Sequence, residues 1–234
     1  MAQPTPTTNN RLERRKAHTR AALVHAAQSF IAAGNPNVPI SEITQAADVG
    51  LGSFYNHFQS KEELFEAAVQ EVMEALGSLL DRATAGIEDP AQVFAQSFRI
   101  VGRWHRRNPD MSRVFLANGL ALAGSDRGLA PRALRDIDAG VRAGRFTPAD
   151  PVLAFTIIAG ATLCLGQLLH EQPQRDDAEA VDQVAEDLLR LLGLTPKQAQ
   201  RIARLPLPDV DAVPRQDPAA VPGPPARAAA GRRR

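Results

Sequence analysis

The chain has 234 residues, enough for one large or two small domains, and its 44% hydrophobic residues suffice for a buried core. Helix-favouring residues are abundant whereas Tyr and Trp occur once each, so the composition gives little sign of a sheet. Cys164 is the single cysteine, which excludes an intrachain disulfide, and the polar first twenty residues lack the apolar core of a signal peptide. We therefore expect a helical protein of the reducing cytoplasm.

The formal net charge of +1 hides an uneven distribution of charge. Residues 1–61 contain six basic and three acidic residues, and most of the excess lies between Arg11 and Arg20. A local basic arm on an otherwise balanced chain is typical of a protein that anchors to phosphates. A solvated charged helix face explains the same residues equally well.

The first predicted helix runs from Asn10 to Ala33, and Gly34 ends it. Residues 1–10 before it are polar with two prolines, and we expect them to be disordered. Its buried face is predicted from apolar residues at helical spacing. These are Leu23, Ala27, Phe30 and Ile31.

Two short helices separated by a tight break follow, and they are the most informative part of the chain. The first covers Ile40 to Ala47, Asp48–Gly50 breaks it, and the second begins near Leu51 or Gly52. Phe54 and Phe58 lie four residues apart and point inward. Four polar or aromatic residues remain on the outer surface: Ser53, Tyr55, Asn56 and His57. A helix that displays such groups is typical of a helix-turn-helix, whose second helix enters the major groove.

The remainder of the chain predicts a larger helical body over residues 62–205 and a disordered Pro/Ala/Arg tail over residues 206–234. Capping residues and prolines mark the helix starts. The predicted helices begin at Ser60, Asp89, Asn108, Pro131, Pro151, Asp177 and Thr195. The fold class is therefore all-α, with about nine to ten helices.

Between Arg15 and Val72 the chain resembles the tetracycline-repressor (TetR) family of bacterial transcription regulators. The resemblance lies in four runs: AAG at 32–34, ITQAADVG at 43–50, SFYNHF at 53–58 and SKEELF at 60–65. It implies a three-helix DNA-binding domain over residues 11–61, with the helix-turn-helix at about 39–58. It also implies that residues 62–205 bind an effector and form the dimer.

The resemblance assigns DNA contacts residue by residue. Tyr55, His57 and Lys61 match positions that bind phosphate, and Gly52 and Ser53 lie at the tip of the reading helix. Asn56 could pair with adenine, whose N6 and N7 suit an amide. Tyr55 as half-buried packing and Asn56 as an ordinary surface residue are the alternatives.

Two further positions come from the preceding helix. Ser41 and Thr44 are plausible phosphate donors, and the arm Arg11–Lys16 could reach an adjacent groove. Pro39 stands where many family members have threonine. Because proline cannot cap by its side chain, a cap-mediated phosphate contact is not expected there.

Residues 152–169 hold no charge, and two structures explain such a run. A membrane span is one, since the run is just long enough. A helix buried on several sides is the other, and the polar and glycine interruptions favour it. We expect no membrane segment but a homodimer through helices at about 151–171 and 177–192, as the family resemblance implies.

The resemblance also implies an effector pocket in the body. Candidate lining residues are apolar with a few polar groups, which suits a small hydrophobic ligand. They are Phe94, Phe98, Trp104, His105, Phe115, Asn118, Phe155 and Cys164. Core packing is the alternative for each of them, and Trp104–Arg107 could instead be a helix end whose cations meet the dipole.

The function expected is a repressor that binds palindromic double-stranded operator DNA as a homodimer and is released by an unknown small-molecule effector. The alternatives are an activator or architectural protein without an effector, and a helical adaptor for a protein partner. Ser53 and His57 lie one helical turn apart, but no acid is placed to orient the histidine, so we do not expect an enzyme. We expect no cofactor and no metal, since the chain has no glycine-rich phosphate loop, histidine–glutamate metal motif or CxxC pair.

Overall fold

The computed structural model describes residues 6–208, which form ten α-helices and no strand. The helices are α1 Pro6–Ala32, α2 Ile40–Ala46, α3 Leu51–Phe54, α4 Lys61–Ala83, α5 Pro90–Arg107, α6 Pro109–Ala123, α7 Leu129–Arg142, α8 Pro151–Glu171, α9 Asp177–Leu191 and α10 Pro196–Ala203. The predicted all-α class is confirmed. We call α1–α3 the amino-terminal unit and α5–α10 the body, with α4 joining them.

Side-chain caps fix where most of these helices begin. The carboxylates of Asp89, Asp150 and Asp176 accept hydrogen bonds from backbone N–H groups of the first turns of α5, α8 and α9. Ser60 Oγ accepts from Glu63 N at 3.2 Å at the start of α4, as predicted, while Glu63 accepts from Gln59 N at 2.6 Å. The caps satisfy donors that the helices themselves leave free.

The helix boundaries differ from the predicted ones mainly at the ends. α1 begins at Pro6, so part of the segment expected to be disordered, residues 1–10, is the first turn of this helix. Residues 1–5 and 209–234 lie outside the described residues, and the expectations of disorder there lie outside them too. α4 ends at Ala83, a little before the predicted Gly86.

The core of the amino-terminal unit continues into the body. Ile43, Phe54 and Phe58 are buried with residues of α1 and α4, and the same apolar cluster includes Val114 and Phe115 of α6. The second large cluster surrounds α5, which packs against α7, α8, α9 and α10. The short α2 therefore packs against α1 and α3 against α2, and both long helices, α1 and α4, contact the body.

Candidate nucleic-acid interface and ligand pocket

The turn between α2 and α3 is set by one residue with a left-handed backbone. Asp48 has φ 53°, and it is the only non-glycine residue with positive φ among residues 6–208. Aspartate tolerates this conformation better than most residues because its short side chain can bond locally. Val49 N donates to Thr44 O at 2.9 Å and closes the turn. The chain then enters α3 at Leu51.

α3 is a single turn, Leu51–Phe54, shorter than the predicted helix through Phe58. His57 N and Phe58 N both donate to Phe54 O, at 2.9 and 3.0 Å, so the chain stays coiled beyond the helix. Phe54 and Phe58 are 0% and 3% exposed, as predicted. Two buried rings thus anchor a short segment whose other side faces outward.

The outward side carries the residues that the sequence selected. Tyr55 is 60% exposed, and its ring meets that of Phe54 edge-on at 5.2 Å between centroids. Asn56 is exposed and His57 is partly exposed. The interpretation of Tyr55 as half-buried packing therefore does not hold. Four further members of the set are also accessible: Ser41 and Gly52 are exposed, and Ser53 and Lys61 are partly exposed.

Thr44 is the exception among the predicted phosphate contacts. It is only 4% exposed, and its hydroxyl donates to Ser41 O at 3.0 Å. A buried hydroxyl already bonded within its own helix is not available to a phosphate, so we withdraw Thr44 from the set. Helical spacing from Ile43 gave no sign that the next residue would also be buried.

A shallow depression brings residues of three segments together beside α3. Pro39, Tyr55, Ser60 and Lys61 all line it. It lies at the amino terminus of α4, where the helix dipole favours an anion. Pro39 makes no side-chain cap for α2, as expected.

Arg20 of α1 has a role that the sequence did not reveal. Its guanidinium lies 5.3 Å from the centroid of the Phe58 ring and forms an ion pair with Glu71 of α4. Arg20 therefore links α1 to Phe58, which follows α3, and to α4. Arg11, Arg14 and Arg15 lie farther toward the start of α1 and are exposed.

A pocket that is partly open to solvent, with a cavity volume of about 120 Å³, lies between α4 and the body helices α5, α6, α7 and α8. Four of the predicted lining residues border it: Phe94, Phe98, Phe115 and Phe155. Phe94 and Phe98 stack with 6.4 Å between ring centroids. Most of the remaining wall is aliphatic, so the pocket suits a small aromatic or aliphatic molecule.

The other four predicted residues do not line this pocket. Trp104 packs beside Phe115, and His105 is buried with its Nδ1 2.6 Å from Ser112 Oγ. Asn118 donates from its amide to Val114 O at 2.9 Å within α6, and Cys164 is exposed on α8. Each lies on a helix that reaches the pocket, but on another face of that helix. The predicted pocket position is wrong for these four residues, because the rotation of each helix about its axis decides which side chains face the pocket.

The sequence also missed a polar wall on one side of the pocket. Charged and hydroxyl-bearing side chains form it: Asp81, Thr84, Arg127, Arg132, Arg135 and Asp136. These residues were overlooked because charge runs usually lie on solvated faces. Arg132, Arg135 and Asp136 are spaced three and four residues apart, which places them on one face of a helix, and this spacing was the sequence pattern that pointed to the polar wall.

Ion pairs hold this wall together and shift its pKa values. Arg135 Nε donates to Asp136 at 2.9 Å, and Arg135 Nη2 donates to Asp81 at 3.1 Å. Burial raises the pKa of Asp136, against the opposing effect of Arg135. Burial also acts to raise the pKa of Asp81, but hydrogen bonds from Arg132 and Arg135 outweigh it and the pKa is lowered. The pocket therefore has carboxylates of two kinds beside its apolar interior.

One face of α8 is apolar and uncovered. Val152, Leu153 and Ile157 are 63%, 61% and 50% exposed, while Ala154, Phe155 and Ile158 on the opposite side are buried. Cys164 continues the exposed stripe, and Leu191 of α9 is 41% exposed. By length and hydropathy α8 could span a membrane, but a core helix passes the same test, and α8 packs against α5, α6, α7 and α9.

Two family models match successive parts of the chain. A family model described as "Bacterial regulatory proteins, tetR family" matches residues 22–68, and one described as "Tetracyclin repressor-like, C-terminal domain" matches residues 89–205. RolR, whose structure has been solved in complex with resorcinol, is 34% identical to this chain in sequence. The two structures are similar with a TM-score of 0.65, and the match covers 84% of this chain and 98% of RolR.

Two curated relatives match over shorter stretches. TcmR of Streptomyces glaucescens, an HTH-type transcriptional regulator, is 32% identical over 90 residues, which are 38% of this chain and 39% of TcmR. The nucleoid occlusion factor SlmA of Vibrio vulnificus is 26% identical over 99 residues, which are 42% of this chain and 50% of SlmA. The chain thus spans half or less of the curated relatives' own length.

The two family models together cover both the helix-turn-helix and most of the body. RolR aligns with this chain along nearly its whole length. Proteins of this kind are DNA-binding regulators that act as dimers and have no catalytic centre. The chain therefore belongs to the TetR family of bacterial transcriptional regulators.

Proposed function

We propose that this regulator is a cytoplasmic repressor that binds a palindromic operator as a homodimer and leaves it when a small effector enters the pocket. The observation that carries the proposal is the outer edge of the α3 segment. Tyr55, 60% exposed, and the neighbouring Asn56 and His57 project from a segment anchored by two buried rings. Exposed polar and aromatic groups on a rigid short element suit a DNA groove.

The contacts divide into two kinds. Tyr55, His57 and Lys61 bind backbone phosphates through a hydroxyl, a ring nitrogen and an ammonium group, and Ser41 adds a hydroxyl from α2. Gly52 and Ser53 allow the backbone at the start of α3 to approach the groove. Asn56 reads a base edge, where its amide matches adenine. Phosphate contacts position the protein, and the base contact selects the sequence.

Binding to a duplex from the gene's own upstream region tests these roles. Lys61→Ala should weaken binding to all duplexes and reduce the slope of log affinity against log salt by about one. Asn56→Ala should change the preferred sequence, with a loss of about 1–3 kcal/mol at the contacted base. Fluorescence anisotropy at several salt concentrations measures both effects.

Arg107→Ala is the matched control, since it removes an exposed cation from α5 in the body. It should leave affinity, salt slope and sequence preference unchanged. Wild-type protein that does not bind double-stranded DNA at low salt concentration would contradict the proposed function.

For the effector we propose a small hydroxylated aromatic compound. Four phenylalanines supply faces and edges for a ring, and the wall around Asp81, Arg135 and Asp136 offers acceptors and donors for hydroxyl groups. RolR, 34% identical to this chain, has been solved with resorcinol, a molecule of this class. Titration of the protein–operator complex with resorcinol should release DNA. Benzene, which lacks hydroxyl groups, should not do so at equal concentration.

The dimer proposed pairs the exposed faces of α8 and α9 with those of a second copy. Burying Val152, Leu153 and Ile157 removes apolar surface from water, and the uncharged stripe allows two helices to approach closely. Two amino-terminal units then reach two half-sites of one operator.

A regulator without a small-molecule effector is the second candidate. SlmA, which matches 42% of this chain, is described as a nucleoid occlusion factor. The aromatic and aliphatic lining of the pocket favours the effector-responsive form. Operator binding that no hydroxylated aromatic compound alters would favour the second candidate.

A further inference from the structure

Helix α4 has two ends with different partners. Its amino terminus, Lys61, lies beside the α3 segment, and its second half contributes Met73, Leu80 and Asp81 to the pocket wall. A shift of α4 against the body would therefore move the DNA-binding surface. The contacts that fix α4 to the body decide how easily such a shift occurs.

Arg132 of α7 makes the densest polar contact with α4. Its Nη2 donates to Glu74 Oε1 at 2.7 Å and its Nη1 to Glu74 Oε2 at 3.2 Å. Its Nε donates to Asp81 Oδ2 at 2.8 Å, and Nη1 also donates to Gly128 O at 2.8 Å. One guanidinium thus joins two carboxylates that lie two turns apart on α4 to the start of α7.

Two glycines make room for this contact. A Cβ on Gly77, which lies between Glu74 and Asp81 in sequence, would stand 2.6 Å from Arg132 Nη1. A Cβ on Gly128 would stand 2.8 Å from the Cβ of Met73, and Gly128 also has φ 75°, where other residues are strained. α4 and α7 can therefore lie this close only because both positions lack a side chain. We call Glu74, Gly77, Asp81, Gly128 and Arg132 the α4–α7 brace.

The brace reaches from the pocket to a part of α4 outside it. Asp81 and Arg132 line the pocket, whereas Glu74 and Gly77 do not. The hydrogen bond from Arg132 lowers the pKa of Glu74, so this carboxylate is ionised at neutral pH. An occupant of the pocket meets one end of the ion-pair chain, and the other end holds the middle of α4.

We propose that the α4–α7 brace holds α4 in the operator-binding arrangement and that occupancy of the pocket acts against it. The inference rests on the proposed function, since it concerns how the effector site regulates DNA binding. Loosening the brace shifts the balance between two arrangements of α4. By linkage, operator affinity then falls while effector affinity rises.

Two variants test the brace at positions that do not themselves line the pocket. Glu74→Gln removes the charge that Arg132 meets, and Gly77→Ala places a methyl group where the guanidinium lies. Arg142→Gln is the control: it removes an exposed cation of α7, the helix of Arg132, and Arg142 pairs only with Asp138 among the described residues. Glu74→Gln should weaken operator binding about two- to fivefold, the scale of a partly exposed ion pair, and Gly77→Ala more strongly.

Calorimetric titration should show that both variants bind resorcinol more tightly than wild type does, the opposite of the change in operator affinity. Arg142→Gln should bind resorcinol as wild type does. A variant that is only less stable would lose affinity for both ligands. Unchanged operator and resorcinol affinities in Glu74→Gln and Gly77→Ala would overturn the brace.

Hydrogen exchange of the α4 amides needs neither DNA nor effector, so it separates the two proposals. Exchange between Met73 and Ala83 should be faster in both variants than in wild type and Arg142→Gln. Equal exchange would overturn the brace even if wild type bound operator. Faster exchange in a protein that binds no DNA would instead retain the brace and refute the proposed function.

Discussion

Arg99 of α5 is a charged side chain with 4% of its surface exposed, and its environment supplies every partner it needs. It donates from Nε and Nη2 to the two carboxylate oxygens of Asp182 at 2.7 and 3.1 Å, and from Nη1 to Leu205 O at 2.6 Å. Arg103 adds a bond to Asp182 at 2.8 Å. A single carboxylate of α9 thus neutralises two cations of α5, and Arg99 also holds the chain after α10.

Removing that carboxylate should be costly. Asp182→Asn leaves two guanidinium groups without a counter-ion, one of them buried, and we expect the free energy of unfolding to fall by about 3–5 kcal/mol. Asp187→Asn is the matched control on α9, since Asp187 meets Arg190 at 3.6 Å on the surface. Urea unfolding followed by circular dichroism compares the two. Equal midpoints for both variants would contradict the importance of the buried network.

Three body helices meet at a chain of two histidines and a serine. Ser112 Oγ of α6 lies 2.6 Å from His105 Nδ1 of α5 and 2.7 Å from His170 Nε2 of α8. The serine hydroxyl can donate to one ring and accept from the other, so the chain requires at least one neutral histidine. Burial, followed by the charge of His170, lowers the pKa of His105 from 6.5 to about 4.

This lowered pKa makes the stability of the body depend on pH. Between pH 6.5 and about 4 the unfolded chain binds a proton at His105 that the folded protein does not. The free energy of unfolding should therefore decrease as pH falls through this range, by up to about 3 kcal/mol from this group. His105→Gln should flatten the dependence, as measured by urea unfolding at a series of pH values. His25→Gln, which removes an exposed histidine of α1, should retain the wild-type slope.

At the scale of the whole molecule, the exposed apolar face of α8 decides the assembly. Ile157→Glu places a carboxylate in the proposed interface, and sedimentation should then show a monomer. Because two linked binding units gain strongly over one, operator affinity should fall about 100-fold or more. Leu120→Glu is the control, since Leu120 of α6 is 87% exposed but lies on another helix. A dimeric Ile157→Glu protein would place the interface elsewhere.

The sequence by itself determined the helix-turn-helix and the helical class. Phe54 and Phe58 at helical spacing, the break at Asp48 and the capping residues are local signals, because short-range sterics and hydrogen bonds set them. The same locality explains why the starts of α5, capped by Asp89, and of α8, at Pro151, were predicted correctly. The exposed position of Tyr55 and the burial of both rings followed from that pattern.

Only the tertiary structure decided which helix faces meet around the pocket. A sequence gives the phase of a helix against itself but not its rotation against four neighbours, so Trp104, His105, Asn118 and Cys164 could not be separated from the four lining phenylalanines. The polar wall depends on α4 and α7 lying side by side, where Arg132 meets Asp81 although the two residues are 51 positions apart in the chain. Long-range packing brings such partners together, and no local spacing encodes it.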